Sequence, residues 1–558
     1  MTSPIIPIRP DALPPIGSDQ PSPEPSKGRL PTSLARSGLS MAAGTATSRA
    51  TGFIRTIAIA SAIGGGGVAN AYGVANTVPN ALYDLFLGGI LSAVVVPLLV
   101  QAAHDDDDGG EAYAQRLLTL VTVVLTAVAV IAVLLAPLII AAYAHAAKPQ
   151  QEELAVTFAR FFLPQLLFYG VGATFAAILN VRGSFAPPMW APVVNNLVVI
   201  GSAVAFDVVT HTAPRPGHLT HQQVLILGIG TTVGVIAQTV ALLPALRHVS
   251  FHLKARWDWA KTGLRTAGPF AAWMLGYVVT NQVGYLVVVA LAEGVGNGRG
   301  AYAVYSYAFI LFTLPYGIIA VSVITALFPG MSRSATEGDE PAVAHLLARG
   351  LSIAGVLMVP ASLILVTLGP QIAVLVLQHG RFTPANAQLT GQILVAFGVG
   401  LVPFSAFQMQ LRAWLAVKDS RTAMIVNLWV TAANIALDVL FFLTLSTRHI
   451  PIGLALGYSL SYLLGMVIFT LKLRRRIPAT QPTHVIRTHV RLLVAAAVAA
   501  IPILIVTRVI TSGPPSTPLA ALITLVIGGG LGLAVFFLLV RRMRVKELGE
   551  LRAMLPGT

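Results

Sequence analysis

The stretch SRATGFIR at 48–55 places Arg49 and Arg55 on one segment, roughly 240° apart around a helix, so both can border one broad face without stacking. A guanidinium stays charged and donates in a planar fork, which suits a phosphate or diphosphate. Thr45, Ser48, Thr51 and Thr56 keep the region polar, while Gly44 and Gly52 let a neighbouring helix come close. The plainer alternative is an arginine that reaches an interface or pairs with Asp84. Asn80 and Asp84 lie one turn apart after Pro79, a polar stripe on a segment bent by its proline. Asp84 serves there either as a ligand contact or as a counter-ion. Asn195 and Asn196 follow Pro192, and amide pairs of this kind more often cross-link helices than meet a ligand. The candidate substrate-binding set is thus Arg49, Arg55, Asn80, Asp84 and Asn195. Asn434 and Asp438, at i and i+4, can hold Na⁺, take up a proton, or make an interhelical hydrogen bond.

Catalysis finds no such footing. HExxH, Walker and GxSxG patterns are absent, the histidines fall mostly in loops (His211, His218, His221), and Gly64 to Gly67 lacks a following Lys-Ser/Thr. The chain contains no cysteine, which removes disulfides, thiolate metal sites and Cys nucleophiles together. The expectation is a non-enzyme with no catalytic residue, no metal site and no cofactor beyond a coupling Na⁺ or H⁺.

The elements that must hold these residues are membrane helices. Of the 558 residues 55% are hydrophobic and 10% charged, with mean hydropathy +0.78; a soluble chain carries roughly 25% charge. A net charge of +15 would suggest nucleic acid in a soluble protein, but here the basic residues sit in loops between apolar runs, so nucleic acid is not an expected partner. Runs long enough to cross hydrocarbon begin near 37, 72, 113, 155, 187, 223, 266, 301, 346, 386, 422, 450, 488 and 517. The sequence therefore predicts an all-α polytopic membrane protein of fourteen transmembrane helices. The first two runs are the most polar, as suits helices facing a watery cavity. Lys and Arg gather in alternate loops, whereas the opposite loops hold only Lys148, Arg215, Arg299, Arg381, Arg448 and Arg508. That bias predicts both termini in the cytoplasm of a multi-pass cell-membrane protein.

LNVRGS at 179–184 and LAVKDS at 415–420 recur at the same spacing as Thr77/Pro79 and Thr313/Pro315. A same-sense repeat across six spans implies two six-helix lobes around a central crevice, with two appended helices. The expected division is a disordered tail over 1–33, an N-lobe over 34–250, a C-lobe over 251–478, two further helices over 479–545 and a tail over 546–558.

At these residues the chain resembles the MurJ (MviN) lipid II flippase family, within the multidrug/oligosaccharidyl-lipid/polysaccharide exporter superfamily. The anchors are SRATGFIR at 48–55, VPNALYDLF at 78–86, FAPPMWAPVVNN at 185–196, LPYG at 314–317 with FPGMSRS at 328–334, and HGRFT at 379–383. The resemblance implies a V-shaped pair of lobes around a cationic cavity, moving an undecaprenyl-diphosphate-linked peptidoglycan precursor by alternating access. Membrane potential or an ion gradient drives the cycle in this family. It implies that Arg49 and Arg55 engage the diphosphate, and that Asn434 and Asp438 match a sodium-site pair. Its expected partners are lipid II or a similar polyprenyl-diphosphate lipid, membrane lipids and cell-wall synthesis proteins. Other family positions differ here: Thr56 replaces an acid, Asn70 an Asp, Tyr83 and Asp84 a basic pair, Ile310 an arginine, and an acidic partner of the sodium pair falls near Val288. Two other functions compete: an ion-coupled exporter of another amphipathic or lipid-linked substrate on the same fold, and a non-transporting scaffold recruiting partners through basic loops at 247–265 and 472–491. A cation exporter would need an acid-dominated cavity.

Overall fold

The computed structural model describes residues 32–83, 96–144, 147–258, 268–295, 301–476, 482–510 and 517–549, and every regular element among them is helical. Most of the predicted tail, and Asp84, lie outside the described residues. The first group of helices comprises α1 (Thr32–Ile63), α2 (Gly67–Tyr83), α3 (Val96–Asp105), α4 (Glu111–Leu134), α5 (Ala136–Ala144), α6 (Pro149–Phe162), α7 (Gln165–Val181), α8 (Ala186–Val209), α9 (His221–Val240) and α10 (Leu243–His248). The second comprises α11 (Gly268–Glu293), α12 (Ala301–Pro315), α13 (Val321–Thr336), α14 (Glu340–Leu377), α15 (Pro384–Ala416), α16 (Ser420–Thr444) and α17 (Ile450–Arg476). α18 (Pro482–Ile510), α19 (Pro518–Thr524) and α20 (Gly530–Arg542) complete the chain.

Twelve helical stretches among the described residues are long and apolar enough to span a membrane. α1 and α2 are not among them. α1 is nonetheless a continuous helix of 32 residues, and its hydroxyls return to its own carbonyls. Thr45 Oγ1 donates to Met41 O at 2.9 Å, Thr51 Oγ1 to Thr47 O at 2.8 Å and Thr56 Oγ1 to Gly52 O at 3.1 Å. These bonds satisfy polar side chains without competing for another helix.

Within the first group α1 packs on α8, α8 on α9, and α2 on α6; within the second α14 packs on α15, α15 on α17 and α11 on α16. α18 pairs with α20, and α18 and α19 lean on α14. The groups meet where α2 touches α12 and α5 touches α11. Chain direction is reset by local chemistry: Thr220 and Gln223 form a capping box before α9, and Thr383, Asp339 and Asp419 cap α15, α14 and α16.

The repeated hexapeptides adopt one turn geometry. Ser184 N donates to Leu179 O at 2.8 Å, and Asp419 N to Trp414 O at 3.0 Å. Gly183 and Lys418 take the positive φ that such a helix end requires, 77° and 59°. The turns therefore correspond one residue out of the sequence register, with Arg182 equivalent to Val417 and not to Lys418. At the other end of the chain, the tail expected from 546 is docked at its start: Glu547 is buried and accepts a hydrogen bond from Thr488 Oγ1 at 3.1 Å, and Leu548 packs against the α18–α20 cluster.

Candidate functional site between the helix groups

One end of the crevice is sealed where α1 finishes. Arg381, in the turn before α15, reaches across to the first group: its guanidinium donates to Asp207 Oδ1, Thr210 O and Ala62 O, and its backbone N–H donates to Ser61 O at 2.9 Å. Gly64, at φ 74°, lies beneath the Arg381 carbonyl where a Cβ would clash. Deeper in the same seam, Gln151 Nε2 donates to Glu293 Oε2 at 2.7 Å, and Ala303 N to Asn70 Oδ1 at 2.8 Å. The sequence placed Arg381 in an outer loop and gave Glu293 and Asn70 no part in joining the lobes. The polyglycine run and the HGRFT turn were the available signals.

Beyond this seal lie two adjoining cavities of about 290 and 370 Å³. Arg55, Asn76, Asn195 and Thr231 line the first, and Asn281, Gln282, Thr431 and Asn434 the second. Thr77, Asn80, Tyr285, Tyr305 and Phe309 border both, so the two are halves of one crevice. Asn80 is exposed, and the crevice opens there. Among the described residues Arg55 is the charged group in the lining, and no carboxylate shares it. A chain of hydroxyls crosses the crevice, from Thr77 to Tyr302 at 2.6 Å and from Tyr302 to Tyr285 at 2.7 Å. Tyr72, Tyr169, Tyr305, Tyr307, Tyr458 and Tyr462 extend this aromatic lining. Sequence reading missed it, since tyrosines in apolar runs carry no sign of which way they face.

The predicted residues divide. Arg55, half-buried, faces the crevice. Arg49 does not line either cavity; it is exposed, its guanidinium pressed against Gly317. Gly317 sits in a π-helical turn, Tyr316–Ala320, which follows Pro315 and widens the helix there. With a rise of about 1.5 Å per residue, Arg55 lies roughly 12 Å and Arg49 roughly 21 Å from the sealed end of α1. The two arginines therefore occupy different depths, Arg55 in the lining of the crevice and Arg49 nearer its mouth against Gly317. Gly44 does admit a neighbour, the Trp190 ring of α8.

Asn196 cross-links helices, donating from Nδ2 to Ser48 O at 3.1 Å and to Thr51 Oγ1 at 3.0 Å. Asn195 lines the cavity, and its buried Oδ1 has no hydrogen-bond partner among the described residues. Asn434 Nδ2 donates to Asp438 Oδ2 at 2.9 Å. Asp438 is fully buried behind Asn434, its Oδ1 without a hydrogen-bond partner among the described residues and set against Gly457, where a Cβ would clash. Val288 also lines this side and supplies no carboxylate. No group of three or more His, Asp or Glu placed to hold a metal occurs among the described residues.

Comparisons with known proteins agree with this architecture. A family model described as lipid II flippase MurJ matches residues 59–522. A probable lipid II flippase MurJ from Vibrio cholerae is 26% identical over 445 residues, covering 78% of this chain and 82% of that protein. One from Thermotoga maritima is 26% identical over 440 residues, covering 78% and 85%. A solved lipid II flippase MurJ in an inward closed conformation superposes with a TM-score of 0.72 at 21% identity, covering 90% of this chain and 99% of that one. An inward-facing multidrug resistance MATE family transporter superposes at 0.55 with 17% identity, covering 77% and 99%. On the extent of the family match and the two helix groups around one crevice, the chain belongs to the lipid II flippase MurJ family.

Proposed function

We propose that this chain moves lipid II, or a closely similar polyprenyl-diphosphate-linked precursor, across the cell membrane by alternating access. No bond is made or broken. A headgroup bearing phosphates and sugars cannot enter hydrocarbon without large desolvation cost; the crevice replaces water with a guanidinium, amides and hydroxyls while the polyprenyl tail stays in lipid. The observation that carries the reading is the lining itself: Arg55 with Asn80, Asn195 and a ring of tyrosine hydroxyls, and no described carboxylate. That lining lacks the carboxylate that a carrier of amphipathic cations would use to hold its cargo.

In this reading the chain has fourteen spans, α1 and α2 included, divided into lobes over 34–250 and 251–478 with two helices after them. The basic loops face the cytoplasm with both termini, so the Arg381 seal is external and the crevice opens inward. Arg49 guides the diphosphate at the mouth, Arg55 holds it at depth, Asn80 and Asn195 take the sugars, and rocking of the lobes breaks the seal. Asp438 with Asn434 couples the cycle to Na⁺ or H⁺. Its single carboxylate and missing partner at Val288 favour a proton over a sodium ion. Replacing Arg55 by Ala should abolish complementation of a flippase-depleted strain and leave newly made lipid II inaccessible at the outer face. Full growth and normal accessibility with Arg55→Ala refute the reading.

A further inference from the structure

A carboxylate buried in the seam between the helix groups has no part in holding cargo. Glu293 closes α11 and is 5% exposed. Its Oε2 accepts the bond from Gln151 Nε2 of the first helix group at 2.7 Å, and its Oε1 has no hydrogen-bond partner among the described residues. Gln151 is itself buried and fixed, its Oε1 set against Gly67, where a Cβ would come within 3.0 Å. The Asn70 amide of α2 is the other polar neighbour, its Oδ1 already taken by Ala303 N. Glu293 therefore meets neutral amides across the seam. The titratable groups on the elements packed around it are engaged elsewhere or turned to the surface. Tyr72, Tyr302 and Asp438 bond to Thr231, Thr77 and Asn434, and Tyr305 and Tyr307 pack on Phe397 and Phe382. Lys148, Glu153, Arg160, Arg448 and His449 are exposed, and the half-buried Tyr143 and Glu152 make no hydrogen bond or ion pair with Glu293. Arg299 lies outside the described residues. An ionised carboxylate shut away from water with amide partners and an orphaned oxygen is costly, and the neutral acid in the same place is much less so. Residues of both helix groups create that burial, so parting α6 from α11 admits water and removes the cost of the charge.

We propose that Glu293 is a proton-binding site that controls the seam: the two helix groups close over the carboxyl when it carries a proton and part when it loses it. This site is separate from the Asp438 pair and acts whatever the cargo. The sealed state binds the proton more tightly than the open one, so sealing is favoured at low pH and weakens as the pH rises. Protonation of Asp207 has the opposite sign, because it releases Arg381 from its ion pair and loosens the seal. In the orientation read above, the proton comes from the outer face.

The full-length protein in phosphatidylcholine nanodiscs, where both faces meet the same buffer, tests this without regard to orientation. Spin labels at His211→Cys and Arg448→Cys report the width of the seam by double electron–electron resonance at pH 5 and pH 8. The measurement is made on the parent and on Arg381→Ala, which removes the other charged side chain crossing the seam. The sealed-to-open ratio should rise at least about tenfold from pH 8 to pH 5, a range above the value of about 4.3 at which a solvated Glu titrates. Glu293→Gln, which keeps an acceptor for Gln151 and resembles the neutral acid, should stay sealed at both pH values. Gln151→Met, which takes away the hydrogen bond to the charged form, should keep the pH dependence and move it to higher pH. A ratio that ignores pH in both the parent and Arg381→Ala overturns the proposal, as does a pH dependence that survives Glu293→Gln. Opening on acidification assigns the titration to Asp207 and overturns it as well. None of these results bears on the cargo, which Arg55→Ala tests separately.

Discussion

Removing the Arg381 side chain should unbalance the two access states. Its guanidinium joins the second helix group to Asp207, Thr210 and Ala62 of the first, and the side chain is 20% exposed. A charge-assisted hydrogen bond contributes about 1.5–3 kcal/mol where water is excluded. Asp207 is 56% exposed, so its share is screened and falls to about 0.5 kcal/mol. The bonds to the two carbonyls add about 1.5 kcal/mol after those groups regain water. Arg381→Ala should therefore shift the sealed-to-open ratio by about 2 kcal/mol, or about 30-fold. The backbone bond from residue 381 to Ser61 survives the substitution and holds part of the seam. The natural absence of cysteine makes the assay direct: spin labels at His211→Cys and Arg448→Cys, exposed loop positions of the two groups, report the separation at the sealed end by double electron–electron resonance. The parent should give one dominant short distance, and Arg381→Ala a substantial longer one. Lys at 381 should fall between, since it keeps the charge and loses the fork. Identical distributions for the parent and Arg381→Ala would show that the seam rests on Glu293, Gln151 and Asn70 and that the reasoning about Arg381 is wrong.

Gly457→Ala should lower the melting temperature in detergent, costing about 1–3 kcal/mol by overpacking, because its methyl group would strike Asp438; an unchanged melting curve would contradict the contact. Asn196→Ala should cost about 1–2 kcal/mol of stability through its two bonds to α1 while lipid retention stays near the parent's. Asn195→Ala should do the reverse, since its oxygen has no described partner to lose; the pair is separated by measuring melting and retention on both. The Arg116–Asp258 contact that holds the end of the 251–258 segment after α10 should be lost only in acid. The hydrogen bond from Arg116 holds the Asp258 carboxyl below the usual carboxylate range. A depressed value means that docking is complete above the unfolded value, near 4, and is lost as the pH falls through the lowered one. Hydrogen exchange at 256–258, corrected for intrinsic rates, should match at pH 5 and 7 and rise only below about 4; a rise between 7 and 5 there would assign the docking to another group, such as the His252–Glu111 pair.

Much of the architecture was legible in composition. Each described span begins within a few residues of an apolar run read from the sequence, and the repeated hexapeptides mark turns of one geometry. Arg55 was identifiable because a charge in a span needs a polar surrounding, and Asn196 because amide pairs join helices. Where the reading failed, the same residue type had two destinations. Arg49 and Arg55 share one polar segment, yet Arg55 lines the crevice while Arg49 lies exposed against Gly317 of a distant helix. Arg412 looks like any loop cation until α15 is seen to run past it and set it over the Phe328 ring.

The amino-acid order by itself determined which segments are apolar enough to form membrane helices, because burial in lipid and backbone hydrogen bonding act within one segment. Tertiary structure alone decided which faces meet: the Arg381 seal, the tyrosine-lined crevice, the burial of Asp438 behind Asn434. An apolar helix face turned to lipid and one turned to another helix have the same composition, so the choice between them is made by packing between residues far apart in the chain.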